Sequence, residues 1–335
     1  MARMISFDEQ KLLASFDRIY SRRDEIEAMA DRACLRGISN ILLSASGGSQ
    51  AMLDPFLHLI DAYSSLPVRS VLSAELVLTG CNMLDSNTLA IMSSKSGDTP
   101  ETVAAARWLK GRGCNIFSIV GKPESPLEEL SDWCFVYEDG RPQELVAYLF
   151  LGAVLQKLGN FSRFDAFADE LSSLGSALNS VRRQFDGRAI EYCSLYHDEP
   201  YHVWVASGDL WPVCYAYAMC VLEESQWIRT KSVRSPEFFH GTFELLEPGV
   251  PLTLLMGEGP TRPLDERVER FARAYTDKLT VIDAASFDLP GISDEFRPLL
   301  GPVVMNAALQ RISKNMEHET GHSLEYRRYY RKVEY

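Results

Sequence analysis

The fold class of this chain is decided by one stretch, Ser-Ser-Lys-Ser-Gly-Asp-Thr-Pro-Glu-Thr at residues 93–102. An apolar run at residues 88–92 precedes it and predicts a buried strand, and the run at 103–109 that follows predicts a helix. Pro100 suits the first helical position, and Thr99 before it can cap the helix. The stretch is therefore a turn from a strand into a helix.

This turn is rich in hydrogen-bond donors. Hydroxyls come from four side chains and a positive charge from a fifth, namely Ser93, Ser94, Ser96, Thr99 and Lys95. Free backbone N–H groups and the positive end of the helix dipole also favour an anion at a helix start. A phosphate monoester is the ligand that these donors predict. For a generic serine-rich turn, the alternative is a polar cap without a ligand.

Length and composition limit the classes of protein to which the chain can belong. It has 335 residues, and single cores rarely grow much beyond ~250 residues, so two domains are expected. With 46% hydrophobic and 24% charged residues the composition is that of an ordinary globular protein. A formal net charge of -12 argues against a nucleic-acid or anionic-membrane partner, so local donors must hold an anionic substrate.

No pattern in the sequence predicts a cofactor or a targeting segment. The seven cysteines are scattered without a Cys-x-x-Cys pair, which is typical of reduced thiols in a cytoplasmic protein. No apolar run approaches ~18 residues. His318 and His322 have the spacing of metal ligands, but Gly321 weakens the helix and no third ligand is evident. We therefore expect neither a metal nor an organic cofactor.

Apolar runs alternate with helical patterns, which predicts an α/β protein with doubly wound parallel sheets. The runs that predict strands lie at residues 41–45, 71–72, 88–92, 116–120, 134–137, 202–208, 251–256 and 279–282. We predict a helical segment at 1–37, a first domain at 38–160, a helical connector at 161–198, and a second domain with a tail at 199–335. Gly-Asn at 159–160 and Asp-Gly at 186–187 predict breaks in the helical part.

Ala-Ser-Gly follows a predicted strand in both domains, at residues 45–47 and 206–208, and hints at an internal duplication. In the first domain Gly48 and Ser49 continue the turn, and a helix begins after them. A glycine-rich turn between a strand and a helix is a second anion-binding corner. We therefore count Gly48 and Ser49 among the candidate ligand-binding residues.

A carboxylate and an imidazole mark the second informative stretch, at residues 220–244. Glu224 precedes His240 by sixteen positions, and Glu237 lies close by. Glu and His are a usual pair for moving protons near neutral pH. On one straight helix sixteen residues rise about 24 Å, so both could not touch one ligand. Pro236 ends any such helix, so either the chain turns back there or a second subunit supplies one partner. The alternative is a solvated Glu224 and a structural His240.

Three motifs resemble those of SIS (sugar isomerase) domains. The family pattern Ser-x-Ser-Gly-x-Thr-x-Glu-Thr is filled at residues 94–102, and Glu-Ser-Pro-Leu at 124–127 is similar to the family's Asp-Ser-Pro-Leu. Glu-Phe-Phe-His-Gly at 237–241, with Glu224 upstream, is similar to the second SIS domain of the amidotransferase-type isomerases. The resemblance implies two SIS domains, each a flavodoxin-like parallel sheet flanked by helices.

Along nearly the whole chain, the sequence resembles the bacterial fructosamine 6-phosphate deglycases. The resemblance is carried by Ser-Gly-Gly-Ser at 46–49, the 94–102 motif, Gln-Trp-Ile at 226–228, the 237–241 motif, Thr-Arg at 261–262, Asp-Glu-Arg at 265–267 and the tail at 327–335. It implies cleavage of a phosphorylated Amadori compound to glucose 6-phosphate and a free amine, in a homodimer with shared active sites. The amine half of the substrate stays open.

The resemblance also implies roles for particular residues. Glu224 shifts a proton between C1 and C2 of the sugar, and His240 assists ring opening and polarises the C2 oxygen. Substrate phosphate is bound by Ser49, Ser94, Lys95, Ser96 and Thr99, and further substrate contacts come from Gly48, Glu237 and Tyr329. Neither role requires a metal or an organic cofactor.

Four departures from the family patterns bear on the reaction. Tyr329 stands where the isomerases have a lysine, which puts a Schiff-base mechanism at that place in doubt. Lys95 occupies a position that is commonly Gln or His, and Pro236 one that is usually Gly. Polar and basic residues at 225–226 and 229–231 are expected to shape the pocket for the amine.

Two other functions stay open from the sequence. An aldose–ketose isomerase or a glucosamine 6-phosphate deaminase would use the same scaffold, and ammonia release would identify the deaminase. A sugar-phosphate sensor without catalysis is the third hypothesis, although the Glu–His pair is present and no helix-turn-helix or basic arm is evident. Tight binding of ligand without turnover would identify it.

Overall fold

The computed structural model describes residues 4–138, 140, 142–330 and 332–334. It divides into two compact units. The first unit is Glu9–Gly175, and the second unit is Ser176–Tyr335 together with Met1–Asp8. The boundary between Gly175 and Ser176 lies within the predicted connector at 161–198. The predicted bounds of the domains remain a prediction. Within the described residues, no helix is both long and apolar enough to cross a bilayer.

The first unit is built on a five-stranded parallel sheet in the order β2-β1-β3-β4-β5. Its strands are β1 Asn40–Ser44, β2 Val68–Ser70, β3 Thr88–Ser94, β4 Asn115–Val120 and β5 Trp133–Val136. Every residue of β1, β3 and β4 is buried, because helices cover both faces of a parallel sheet. The prediction of a strand at 71–72 is wrong, since β2 ends at Ser70 and Leu72 caps the next helix.

Helices flank this sheet, and one of them is central. They are α1 Glu9–Tyr20, α2 Arg23–Leu35, α3 Gly47–Leu53, α4 Pro55–Tyr63, α5 Ser73–Thr79, α6 Pro100–Lys110, α7 Pro126–Leu130, α8 Gln143–Lys157 and α9 Phe164–Glu170, with a 3₁₀ turn at Leu171–Ser173. Residues 145–155 of α8 are all buried, as expected for a helix that is apolar all round. Its Phe150 ring stacks on Phe117 of β4 with 3.5 Å between centroids.

The second unit has a four-stranded parallel sheet in the order β7-β6-β8-β9. Its strands are β6 His202–Ala206, β7 Thr230–Arg234, β8 Leu252–Met256 and β9 Leu279–Asp283. The α-helices are α10 Leu174–Tyr196, α11 Trp211–Ala216, α12 Ser235–Phe238, α13 Arg262–Tyr275 and α14 Gly301–Thr320. A π-helix covers Tyr217–Gln226, and 3₁₀ turns cover Gly208–Leu210, Thr242–Leu245, Ala284–Ser286 and Arg297–Leu300.

The predicted break at 186–187 is wrong, because α10 runs through both residues. Asp186 accepts hydrogen bonds from Arg311 Nε at 2.7 Å and from Asn315 Nδ2 at 3.2 Å. Both donors lie on α14, so tertiary contacts outweigh the low helix propensity of Asp and Gly. The expected fold class, an α/β protein with two parallel sheets, is confirmed.

Both sheets share a topology that fixes where ligands bind. In each, the first strand lies in the interior, the second pairs on one side of it and the third on the other. Ligands of open α/β sheets bind at the carboxyl ends of the strands where the strand order reverses. These switch points lie between β1 and β3 in the first unit, and between β6 and β8 in the second. The turns after these four strands are therefore the places to look for function.

Candidate functional site

The turn between β3 and α6 is a compact cluster of donors. Ser94 Oγ accepts from the Gly97 N–H at 3.0 Å and lies 3.0 Å from Thr99 Oγ1. Gly97 has φ +71°, and a Cβ there would lie 2.2 Å from Ser125 Oγ, so only glycine fits. The prediction for Ser93 is wrong, because its hydroxyl donates to the Ile119 carbonyl at 3.2 Å instead of joining the cluster.

The turn between β1 and α3 meets this cluster at the same sheet edge. Gln50 holds it in place, accepting from the Ala45 N–H at 2.6 Å. Ser46 Oγ lies 3.2 Å from Thr102 Oγ1, which joins the two turns. We call the β3–α6 turn, Ser46 and the first turn of α3 together the hydroxyl cup; its side chains are Ser46, Ser49, Ser94, Ser96 and Thr99, with Gly48 and Lys95 exposed. The Ser46–Thr102 contact joins the two segments that carry the residues predicted to bind phosphate, and phosphate binding by these residues stays a prediction.

Glu224 lies near the end of the π-helix, which is a rare conformation that occurs mostly at functional sites. Trp227 then takes a left-handed conformation with φ +60° and ψ 25°. The N–H groups of Trp227 and Ile228 both donate to the Leu222 carbonyl. The prediction that Pro236 ends this helix is wrong, because the chain leaves it at Trp227 and forms β7 before reaching Pro236.

Glu224 faces a cleft of about 650 Å³ within the second unit. The end of the π-helix, the start of β7 and residues 327–330 line it. The lining residues are Glu223, Glu224, Trp227, Ile228, Arg229, Thr230, Arg327, Arg328, Tyr329 and Tyr330. Arg327 Nε donates to Glu224 Oε1 at 2.8 Å, and Arg327 Nη1 donates to the Leu324 and Tyr326 carbonyls at 2.7 Å each. The Glu224 carboxylate is therefore held by a cation that is itself fixed.

We use "the tail" for residues 321–330, which pack against the end of the π-helix. Gln226 Nε2 donates to the His322 carbonyl at 3.1 Å, and the His322 ring meets the edge of Trp227 with 4.4 Å between centroids. The Arg328 guanidinium lies 4.0 Å from the Trp227 ring centroid. Trp227 therefore contacts both a histidine and an arginine of the tail. The resembling segment at 327–335 also includes Arg331 and Tyr335, which lie outside the described residues.

His240 lies in an exposed turn after α12, and its N–H donates to the Glu237 carbonyl at 3.0 Å. Pro236 occupies the start of α12, and Phe238 anchors that helix in the core. Among the described residues that line the cleft, neither Glu237 nor His240 occurs, whereas Tyr329 does. The structure therefore places Glu224 and Tyr329 together and presents His240 separately on the surface of the second unit.

Two carboxylates lie at the switch point of the second sheet, the partly exposed Asp209 and the buried Asp265. Asp209 follows β6, and Asp265 on α13 accepts from Ser235 Oγ at 2.5 Å. Burial raises the pKa of each to about 6, and the charge of Asp265 raises the pKa of Asp209 further. Gly208 has φ +55°, and a Cβ there would lie 2.5 Å from Thr261 Oγ1. The polar groups at this switch point are therefore carboxylic acids, which do not favour a bound phosphate.

Sequence reasoning missed two features of the site. The Glu224–Arg327 ion pair joins residues 103 positions apart, and no local pattern predicts such a contact. The acids Asp209 and Asp265 were also missed, although the repeated Ala-Ser-Gly pointed to the turn that carries Asp209. Of the residues at 225–226 and 229–231 that were expected to shape the amine pocket, Arg229 and Thr230 line the cleft, and their role there stays a prediction.

Comparisons with known proteins agree with the fold and the turn motif. A model of the SIS domain matches residues 35–155. The chain is 33% identical to a fructosamine deglycase of Bacillus subtilis, over 93% of this chain and 97% of that one. It is 26% identical to the fructoselysine 6-phosphate deglycase of Escherichia coli, over 91% and 89%. A Bacillus subtilis crystal structure described as a phosphosugar isomerase superposes with a TM-score of 0.89 at 30% identity, covering 97% of this chain and all of that one.

Proposed function

The chain belongs to the fructosamine deglycases, a family with the SIS fold, and on this premise we propose that it cleaves a 6-phosphorylated fructosamine to glucose 6-phosphate and a free amine. The observation that carries the proposal is the Glu224 carboxylate, which faces a cleft large enough for part of a substrate. Pockets of a few hundred Å³ are typical of small-molecule sites. The hydroxyl cup supplies the second element that such a substrate needs, a site for its phosphate.

In this proposal the hydroxyl cup binds and orients the phosphate. Ser94, Ser96 and Thr99 donate hydroxyl hydrogens, while the N–H groups at the start of α6 and the helix dipole add positive potential. Ser49 and Lys95 complete the contacts. Binding energy gained at the phosphate positions the reacting carbons without touching them.

The chemistry is a proton shift followed by hydrolysis. Glu224 removes a proton from C1 of the open-chain ketosamine while His240 protonates the C2 oxygen, and an enaminol forms. Glu224 returns the proton to C2, which gives a protonated imine at C1 that still carries the N–H hydrogen; the proton that water loses when it adds to C1 returns to His240. Water adds to C1 and the carbon–nitrogen bond breaks, so the amine leaves and glucose 6-phosphate remains. One water is consumed, and no electron acceptor is needed.

Other residues position these groups. Arg327 orients the Glu224 carboxylate through the 2.8 Å ion pair. Tyr329 lines the cleft at the place where isomerases carry a lysine, so a covalent imine to the enzyme is not part of this mechanism. We assign Glu237 and Gly48 to substrate contacts of lesser weight. Seven free cysteines, three of them buried, suit a reducing compartment, so a cytoplasmic location is part of the proposal.

The test is direct. Purified protein is incubated with a panel of 6-phosphorylated fructosamines made from different amino compounds, and glucose 6-phosphate is measured with a coupled dehydrogenase. Release from at least one member supports the proposal. Binding of sugar phosphate without release from any member overturns it, and parallel assays for ketose–aldose exchange and for ammonia then identify an isomerase or a deaminase.

We also propose a homodimer in which each active site takes Glu224 from one chain and His240 from the other. The exposed position of His240, away from the cleft, supports this arrangement. Mixing and refolding the inactive variants Glu224→Gln and His240→Asn should restore about a quarter of wild-type activity, because half of the dimers are mixed and each holds one intact site. Sites contained in one chain would give no recovery.

A further inference from the structure

The cleft beside Glu224 is rich in arginine, although the chain as a whole is acidic. Three of its ten lining residues are arginines, in a chain whose formal net charge is -12. Arg327 is committed to Glu224 and to two backbone carbonyls. Arg229 and Arg328 are left to face the cleft. Their role is not explained by the proton shift, which needs only an acid and a base.

Neither of these two arginines is neutralised. Within residues 4–138, 140, 142–330 and 332–334, no carboxylate forms an ion pair with Arg229 or Arg328. Glu223, the second acid of the lining, accepts instead from Thr230 Oγ1 at 2.5 Å. The lining holds three arginines against the two carboxylates of Glu223 and Glu224, so the cleft has a net positive charge that favours a bound anion.

One of the two arginines is already held in place. The Arg328 guanidinium lies 4.0 Å from the centroid of the Trp227 ring, and the same ring also contacts His322 with 4.4 Å between centroids. Stacking of a guanidinium on indole restricts its motion and leaves its N–H groups free to point outward. A preorganised guanidinium is well suited to a carboxylate, which it binds through two parallel hydrogen bonds.

We propose that this cleft binds the amine half of the substrate and that Arg229 and Arg328 recognise a carboxylate on it. The preferred substrates are then ketosamine phosphates of amino acids, and those of simple amines are poor. This inference rests on the proposed function, because Glu224 acts at C1, the carbon that carries the amine. The phenol side chains of Tyr329 and Tyr330 also line the cleft, where they can contact the rest of the amino acid.

The experiment compares two substrates that differ only in charge. The panel member that is cleaved best is compared with its carboxamide, in which the carboxylate nearest the amine becomes a neutral amide. For the wild-type enzyme, kcat/KM for the acid should exceed that for the amide by about 10- to 100-fold, as expected for hydrogen bonds to a charged group. Replacing both arginines with methionine, which keeps the apolar stem, should bring this ratio close to one.

A matched control keeps the test specific. Arg112 is an exposed residue just after the end of α6. Its guanidinium lies 3.4 Å from the centroid of the Trp108 ring, so it stacks on indole as Arg328 does. Arg112→Met should leave the acid-to-amide ratio unchanged. Turnover of the amide by the double variant shows that the cleft still folds, because Glu224 must act on both substrates.

Each outcome decides between the two proposals. Equal kcat/KM for acid and amide in the wild-type enzyme overturns the carboxylate site and leaves the deglycase reaction standing. The same holds if the best substrate has no carboxylate, or if the ratio survives in the double arginine variant. Silence across the whole panel overturns the deglycase reaction itself, and the carboxylate site falls with it.

Discussion

The switch points of the two sheets have the same backbone and different chemistry. In both, Ala-Ser-Gly follows the first strand, with Ser46 and Ser207 in extended conformation and glycine φ values of +53° and +55°. The next residue is Gly48 in the first unit and Asp209 in the second. One corner therefore collects hydroxyls and N–H groups, and the other holds two carboxylates. A phosphate is attracted to the first and repelled from the second.

This difference shows how a duplicated fold can divide its work. Topology places a turn at the carboxyl edge, and the side chains decide whether that turn binds an anion. The second unit carries its candidate chemistry away from its own switch point, at the end of the π-helix and in the tail. We therefore expect variants of the first unit to affect phosphate binding and variants of the second to affect turnover.

The largest effect is expected in the second unit. Glu224→Gln and His240→Asn should each lower kcat by about 10²- to 10⁴-fold, because each removes one partner of the proton transfer. Affinity for glucose 6-phosphate, measured by calorimetry, should stay within about threefold of wild type. Glu244→Gln, an exposed glutamate on the 3₁₀ turn after His240, is the matched control and should keep full activity. Near-normal turnover in either catalytic variant would contradict the assignment.

The next effect tests the first unit by giving it the character of the second. Ser96→Asp places a carboxylate in the hydroxyl cup and should weaken glucose 6-phosphate binding about 100-fold, since like charges then meet. Ser96→Ala removes one donor and should cost about tenfold. Thermal melting checks that both variants fold, as Ser96 is only partly buried. Equal affinities for the two variants would mean that the phosphate binds elsewhere.

The third prediction concerns how the free energy of unfolding depends on pH, because two acids of the second unit have raised pKa values. Asp209 and Asp265 have pKa values raised to about 6, so these two acids bind more protons in the folded than in the unfolded chain between pH 4 and 6. His202, whose pKa burial lowers to about 4, acts in the opposite direction and offsets only one of the two acids. Stability should therefore fall as pH rises through this window, and the full loss is present above it. Asp265→Asn should flatten the profile and stabilise the protein at pH 7.5 by about 2 kcal/mol. A wild-type midpoint that rises steadily from pH 4 to 6.5 would contradict this prediction.

The smallest effect concerns the ion pair with Glu224. Arg327→Met should lower kcat about tenfold and leave KM nearly unchanged, because the carboxylate loses its orientation but stays in the cleft. Arg327→Lys should recover part of the loss, since a lysine can still pair with Glu224 but not through a planar fork. Parallel losses in kcat and affinity, without rescue by lysine, would instead indicate a disordered tail.

The strands that the sequence predicted correctly are those with an apolar run. Runs such as residues 88–92 and 116–120 are uniformly apolar because both faces of a central parallel strand are covered. β2 was misplaced and β7 was missed because neither carries an apolar run, whereas β5 and β9, which also lie at edges of their sheets, do. β7 reads Thr-Lys-Ser-Val-Arg and buries only Val233, so it carries no apolar run.

The candidate site divides in the same way. Residues of the hydroxyl cup were predictable because a strand-to-helix turn is local and its capping residues are adjacent in sequence. The position of Glu224 was not, since a π-helix has no known sequence signature and its end at Trp227 depends on contacts with His322 and Arg328. Tertiary contacts across about a hundred residues are beyond any local reading of sequence.

Trp227 gives the molecule an optical reporter at the cleft. Its indole is partly exposed under Arg328, whereas Trp204 and Trp133 are buried. A ligand carboxylate that draws the Arg328 guanidinium toward itself changes the electric field and the solvent around this one indole. Tryptophan emission therefore follows occupancy of the cleft in real time, without a coupled enzyme or a label. Stopped-flow fluorescence can then separate the arrival of the substrate from its cleavage.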